Sequence, residues 1–259
     1  MDLPVFQIDA FTDAVFGGNP AAVCPLDSWL DTAVMQAIAA ENNLAETAFF
    51  VANGDGYDLR WFTPTLEVDL CGHATLASAF LIFERLAPQT ERIRFQTRSG
   101  ELTVARRDGL IYLDFPAYPG PAVDCPAALA DGLGNTPVEV IEGPNYMAVF
   151  RSEADIAALS PNMDVLATLH PRGVIATAPG DACDFVSRFF GPSFGVPEDP
   201  VTGSAHCMLT PYWATRLGKD RLEARQISTR GGRLRCENRG DRVGIGGQAV
   251  LYLEGKITV

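Results

Sequence analysis

The sequence predicts an α+β protein of two related lobes, each a curved sheet around a central helix. Three observations carry the prediction. First, a phrase is written twice. Arg60-Trp61-Phe62-Thr63-Pro64 leads through an acidic turn to Cys71-Gly72-His73-Ala74, and Arg188-Phe189-Phe190-Gly191-Pro192 leads likewise to Thr202-Gly203-Ser204-Ala205. Second, the strand candidates gather around one long helix per half, which does not fit the strict alternation of a doubly wound sheet. Third, the helix that should open at Gly72 carries Leu76, Ala77, Ala79, Phe80, Leu81 and Phe83. Apolar nearly all round, it must be buried nearly all round.

In chain order, Val5 to Phe11 reads as a first strand, followed by the Gly17-Gly18-Asn19-Pro20 turn and a short strand through Val23. Asp27 or Ser28 is placed to cap a helix with Leu30, Val34 and Ile38 on one face, ending near Asn42. Strands follow at Thr47 to Val51 and Tyr57 to Phe62, then the first glycine helix, Gly72 to Leu86, and strands at Ile93 to Thr97, Leu102 to Arg106 and Ile111 to Phe115. The Pro- and Gly-rich stretch Pro116 to Pro121 is the expected linker. It puts one lobe at residues 1–116, which a C-terminal strand near 250–259 could complete, and the other at 117–249. The second lobe should hold strands at Val138 to Glu142 and Tyr146 to Phe150, and short helices around Asp155 and Asp164. Strands follow at Gly173 to Ala178 and Phe185 to Phe190, then a second glycine helix, Gly203 to Leu217, bent by Pro211. Four strands close the reading: Gln226 to Arg230, Arg233 to Asn238, Arg242 to Gly246 and Ala249 to Leu253.

Composition narrows the function. Hydrophobic residues make up 47% and charged residues 20%, the range of a fully folded globular chain. A net charge of -12, with no interleaved basic and aromatic run, argues against nucleic acid. The longest apolar run, Ala74 to Phe83, is too short to cross a bilayer. Six cysteines form no C-x-x-C pair and have no histidine at zinc spacing. With no signal peptide before the first strand, the expectation is reduced thiols in the cytoplasm.

Two of the three histidines, His73 and His206, fall in the first turn of the expected glycine helices. A helix N-terminus offers unpaired N–H groups and partial positive charge, so each start is an anion site and disfavours an imidazolium. A histidine there would be a neutral hydrogen-bond partner or relay, or would merely cap and pack, the reading that suits His206 better. His170, in Leu-His-Pro, reads as a solvated bystander. Glu46 stands between a helix terminus and the apolar run Ala48 to Val51. Desolvation there would raise its pKa toward that of a general acid and base, although pairing with an arginine is an equal alternative. Asp199, before the second glycine, reads as a turn residue that could also orient a substrate. Cys71 precedes Gly72, where a thiolate is stabilised, but its counterpart is Thr202, which cannot serve as an opposing base. A symmetric two-thiol racemase is therefore disfavoured.

Asn19 to Val23 (N-P-A-A-V), Asn42 to Phe49 (N-N-L-A-E-T-A-F), Phe62 to Pro64 (F-T-P), Leu70 to Leu76 (L-C-G-H-A-T-L) and Glu198 to His206 (E-D-P-V-T-G-S-A-H) together resemble the phenazine biosynthesis PhzF-like isomerase family, in order and spacing. The resemblance spans essentially the whole chain. It implies a diaminopimelate epimerase-like fold, two pseudo-symmetric lobes that are each a curved, mostly antiparallel sheet around a central helix with the active site between them, and a cofactor-independent, metal-free proton shift of the kind performed on trans-2,3-dihydro-3-hydroxyanthranilate. By position, it implies that Glu46 is the acid/base, with His73 and Asp199 as catalytic partners. Gly72, Gly203, Ser204, Asn19 and Thr202 would receive the polar groups of a small carboxylate-bearing substrate. A homodimer is the family precedent. Ala45 departs from the pattern, where serine is frequent before the glutamate. The alternatives are an epimerase or racemase using Cys71, and a non-catalytic small-acid binding module.

Overall fold

Alternation of buried Leu3 and Val5 with exposed Asp2 and Pro4 gives β1 (Asp2–Ala10) one face in the core and one in water. The computed structural model describes residues 1–259. β2 (Asn19–Leu26) runs antiparallel to β1. α1 (Thr32–Asn42) then crosses to β3 (Glu46–Asn53), which lies parallel to β2. A hairpin leads to β4 (Gly56–Phe62), and the short β5 (Glu67–Val68) adds to its end. α2 (Gly72–Leu81), extended by a π-helical turn at Ile82–Leu86, crosses to β6 (Arg92–Thr97), parallel to β4. β7 (Gly100–Arg107) and β8 (Leu110–Pro116) complete an antiparallel meander.

β9 (Ala122–Val123), α3 (Ala127–Leu133), β10 (Glu139–Glu142) and β11 (Tyr146–Val149) follow. α4 (Glu153–Ala157), which opens with a Ser152/Asp155 capping box, and α5 (Met163–Ala167) cross to β12 (Val174–Pro179), parallel to β11. β13 (Phe185–Gly191) returns antiparallel and carries β14 (Val196–Asp199). α6 (His206–Leu217) crosses to β15 (Arg221–Gln226), parallel to β13, and β16 (Gly232–Asn238) and β17 (Arg242–Gly247) follow. β18 (Ala249–Thr258) pairs antiparallel with β1 from Thr258 opposite Asp2 to Ala249 opposite Ala10, with one bulge at Gln7/Ile8. The chain divides into two units, Met1–Asp114 with Gly246–Val259, and Phe115–Ile245.

The fold class is α+β, and within each unit the helices do the same topological work. Strands joined in parallel cannot be linked by a hairpin, so every parallel neighbour pair is bridged by a helical crossover. α2 is buried along its length except at Phe80, as its sequence demands.

The twice-written phrase has a physical content. Arg60 forms a bidentate pair with Glu67 (2.7 and 2.8 Å) and lies 5.2 Å from the Phe62 ring. Arg188 does the same with Glu198 (2.7 and 2.9 Å) over Phe190 at 4.9 Å. In each unit a strand arginine thereby clamps the acidic turn that delivers the chain to its glycine. The planar fork of arginine suits this two-point grip, which a lysine could not reproduce.

Several expected elements are displaced. Asp27 and Ser28 cap nothing; α1 begins after Asp31, which makes no side-chain cap. The later start turns Met35, Ile38 and Ala39 inward and leaves Val34 exposed. The strand expected at Gln226 to Arg230 lies instead at Arg221–Gln226, because a turn at Ser228 to Gly231 follows, with Gly231 at φ 66° donating to Ser228 Oγ. α3 and the short β5, β9 and β14 were not anticipated; each is too brief to leave a periodic pattern.

The largest correction concerns the second glycine. Gly72 is the first residue of α2, but Gly203 precedes α6 by three residues and sits in a tight turn, with His206 N–H donating to Gly203 O at 3.0 Å and Cys207 N–H to Ser204 O at 3.1 Å. The Thr202 carbonyl accepts from the His206 side chain through Nδ1 at 2.9 Å. The two copies of the phrase therefore end differently.

Candidate active site

In the first unit, α1 ends on Asn43 in the left-handed conformation, φ 49°, and the chain reverses through Leu44 and Ala45 into β3. Glu46 is the opening residue of β3, opposite Ala21 of β2, and Asn42 Nδ2 steadies the junction by donating to Thr47 Oγ1 at 3.1 Å. Cys71 is the extended N-cap of α2 and makes no cap bond with its side chain. The first-turn N–H groups of α2 consequently point to whatever occupies that end of the helix.

His73, one residue into α2, joins these parts. Its Nε2 lies 3.1 Å from Glu46 Oε2, its Nδ1 3.2 Å from Asn19 Nδ2 and 3.5 Å from Cys71 Sγ. Asn19 is fully buried, so it supports the imidazole from within the core. Although Glu46 Oε2 and His73 Nε2 are close, neither finds an aligned hydrogen-bond partner, and both are shielded from bulk water. Buried polar atoms left in that state are costly and cluster at functional sites.

The electrostatics correct two expectations. Burial pushes the Glu46 carboxyl up, but the charge of His73 first, and hydrogen bonding from Cys71 after it, outweigh it and hold the carboxyl below its ordinary value. Burial opposes an imidazolium at His73, yet the Glu46 charge 3.1 Å away outweighs it and raises His73 well above its ordinary value. A carboxylate at contact distance thus overrides the helix dipole that pointed to a neutral ring. Cys71 is raised to about 11, by burial first and by the Glu46 charge second. At neutral pH it is a thiol that can donate a hydrogen bond, not the thiolate its place at a helix start suggested. Glu46, Cys71 and His73 each present one ligand atom, all within 4.8 Å of one another, and are the residues that could hold a metal ion. Spacing along the sequence did not show this group because β3 and α2 supply it jointly.

The second unit gathers Asp199, Thr202 and Gln226. Asp199 ends β14, is 9% exposed, and accepts a hydrogen bond from the Thr202 hydroxyl. Gly203 is buried and Ser204 exposed in the turn that follows. Gln226 was missed; the available signal was a glutamine in phase with inward Leu222 and Ala224.

His206 belongs to the core. Its ring packs 5.9 Å from Phe185, which stacks on Trp213 at 5.7 Å with 5° between planes. Burial pushes its pKa down to about 4, opposed by the bond to Thr202 O. A folded state that refuses a proton the unfolded chain accepts has its full stability above the ordinary pKa of 6.5, and loses it as pH falls toward 4. Urea unfolding across that window should show a decline of about 3 kcal/mol from this group. The same series on His206→Asn, whose Nδ2 takes the place of the imidazole Nδ1 as donor to the carbonyl, should lack that part of the decline. His170 is exposed.

Residues 8–255 match the family model described as phenazine biosynthesis-like protein, PhzC-PhzF. The chain is 53% identical over 257 residues to an uncharacterized isomerase of Pseudomonas aeruginosa, covering 99% of each. A crystal structure of a PhzF family phenazine biosynthesis protein from Enterococcus faecalis superposes with a TM-score of 0.97 at 46% identity, covering 100% of both chains. A predicted epimerase from Pseudomonas aeruginosa, at 19% identity and TM-score 0.75 over 99% of each chain, shares the fold.

Proposed function

The chain belongs to the phenazine biosynthesis-like PhzC-PhzF family, and on that premise we propose that it is a cofactor-independent isomerase that moves a proton on a small carboxylate-bearing substrate. One observation carries the reading: Glu46 Oε2 and His73 Nε2 face each other at 3.1 Å, buried and unsatisfied, at the N-terminal end of a long helix. Glu46, kept ionised, takes a proton from a carbon next to the substrate's unsaturated system and returns it at another carbon. The C–H bond broken at the first carbon is replaced by one at the second, the double bond migrates between them, and the enzyme ends as it began. His73, with its raised pKa, offsets the Glu46 charge while the carboxylate is empty. The first-turn N–H groups of α2 suit the substrate carboxylate or the negative charge that develops on it.

The raised thiol at Cys71 supports a shuttle run by the carboxylate rather than by sulfur. The parts assigned by resemblance to Asp199, Thr202, Gly203 and Ser204 are carried in the proposal, as are a homodimeric state and a cytoplasmic location. No helix is long and apolar enough to cross a membrane.

The experiment is a panel of hydroxyanthranilate-like and amino-acid acids, headed by trans-2,3-dihydro-3-hydroxyanthranilate, incubated with the protein in heavy water. Deuterium entering a carbon of one acid, with migration of its double bond, is the expected result. Inversion at the α-carbon of an amino acid would instead select the epimerase reading. Failure of every acid to exchange would count against the proton-shift reading.

A further inference from the structure

β18 is an outer strand. It pairs with β1, whose other side is taken by β2, and the single residue Gln248 between β17 and β18 is too short to fold β18 back along β17. None of its ten residues is buried. Val259 N–H donates to Met1 O at 2.9 Å, which by strand alternation turns the backbone groups of Ile257 and Gly255 toward β1. Glu254, Lys256 and Thr258 therefore hold their N–H and C=O groups out along a free edge.

Such an edge recruits other strands unless it is blunted, and a lone lysine is one common device. Here the lysine is not alone, because Glu254 and Lys256 flank Gly255 with opposite charge. Turned about a two-fold axis at Gly255, the strand complements itself: Glu254 meets Lys256 of the second copy, Leu253 meets Ile257, and Tyr252 meets Thr258. Moving the axis one residue either way sets Glu254 against Glu254, or Lys256 against Lys256, which is unfavourable. Within the chain Lys256 has no ion pair, and Glu254 has only a 3.4 Å contact with Arg85 between exposed side chains.

The flanks of the edge are apolar. Leu253 and Ile257 line a groove of about 420 Å³ together with Val5, Ala22 and Leu44. On the other face Tyr252 is 47% exposed, and Phe16, edge-on to it at 5.7 Å, is 69% exposed. We propose that β18 is the docking surface for a second copy of this chain, joined as an antiparallel β18–β18 ladder about a two-fold axis at Gly255. The proposal gives a surface and a register to the homodimer, and it stands apart from the catalytic reading.

The test is sedimentation of the full chain over a concentration series, with circular dichroism to follow folding. Wild type should dimerise. Lys256→Glu makes both cross-axis pairs Glu–Glu and should weaken the dimer roughly tenfold or more, whereas adding Glu254→Lys should restore it. All these side chains face water, so each variant should fold as wild type does. Gly255→Cys reads the register, because a Cβ there meets nothing nearer than 3.9 Å in its own chain and faces its own copy across the axis. Treated with diamide, that variant should form a covalent dimer that wild type does not. A monomeric wild type, a dimer indifferent to Lys256→Glu, or a charge swap that fails to restore it overturns the proposal. Deuterium exchange into the acids is read separately, so either reading can fail without the other.

Discussion

Glu46→Gln is expected to slow solvent-deuterium exchange into the substrate by roughly 10²–10⁴-fold, the range over which a positioned acid or base contributes. Glutamine fills the same volume and keeps an oxygen toward His73, so the fold and the binding of the acid should survive. What it cannot do is accept a proton from carbon. The loss should therefore fall on kcat rather than on KM, as it does when an interaction made only in the transition state is removed. Exchange at the wild-type rate in this variant would rule out the carboxylate shuttle. Retention of activity in Cys71→Ala, by contrast, is what the protonated thiol leads one to expect.

Trp213→Ala should have the largest effect on stability. Trp213 is 1% exposed, stacks on Phe185, meets Tyr212 edge-on at 5.3 Å, and donates from Nε1 to Thr177 Oγ1 at 3.0 Å. Truncation opens a cavity in the second unit and leaves a buried hydroxyl short of a donor, together about 3–5 kcal/mol. Against a typical total of about 5–15 kcal/mol, that would shift urea unfolding strongly. Trp213→Phe restores a ring but not the N–H and should lose far less. Equal losses in the two variants would show that the hydrogen bond, not the packing, is dominant.

Much of this was legible in the sequence. The apolar circumference of α2 required burial, and the two arginine phrases marked equivalent places in the two units. Glu46 stood out because a lone carboxylate interrupted the passage from a helix terminus into an apolar strand. Its electrostatic surroundings were not legible, since His73 and Cys71 reach it from α2 and only the fold brings them together. Desolvation was anticipated at Glu46 and is present, but a contact at 3.1 Å reverses its consequence. Gly203 was misplaced for the opposite reason. The local phrase was read correctly, but the backbone after it closes tighter bonds, His206 N–H to Gly203 O and Cys207 N–H to Ser204 O, and the α-helix opens three residues later. Gln226 eluded the reading because its partners, Asp199 and Thr202, lie more than twenty residues earlier in the chain.

The pairing of β18 with β1 has a consequence in time. A ribosome adding about 5–20 residues per second needs roughly ten to fifty seconds to travel from the end of β1 to the end of β18. Throughout that interval β1 can bond to β2 but has no neighbour on its other side. All of Phe115–Ile245 emerges meanwhile and can fold first, so the unit whose synthesis begins first is the last to close. A nascent chain stalled before Ala249 would present an open strand edge, the surface on which chains recruit one another into aggregates and on which chaperones act.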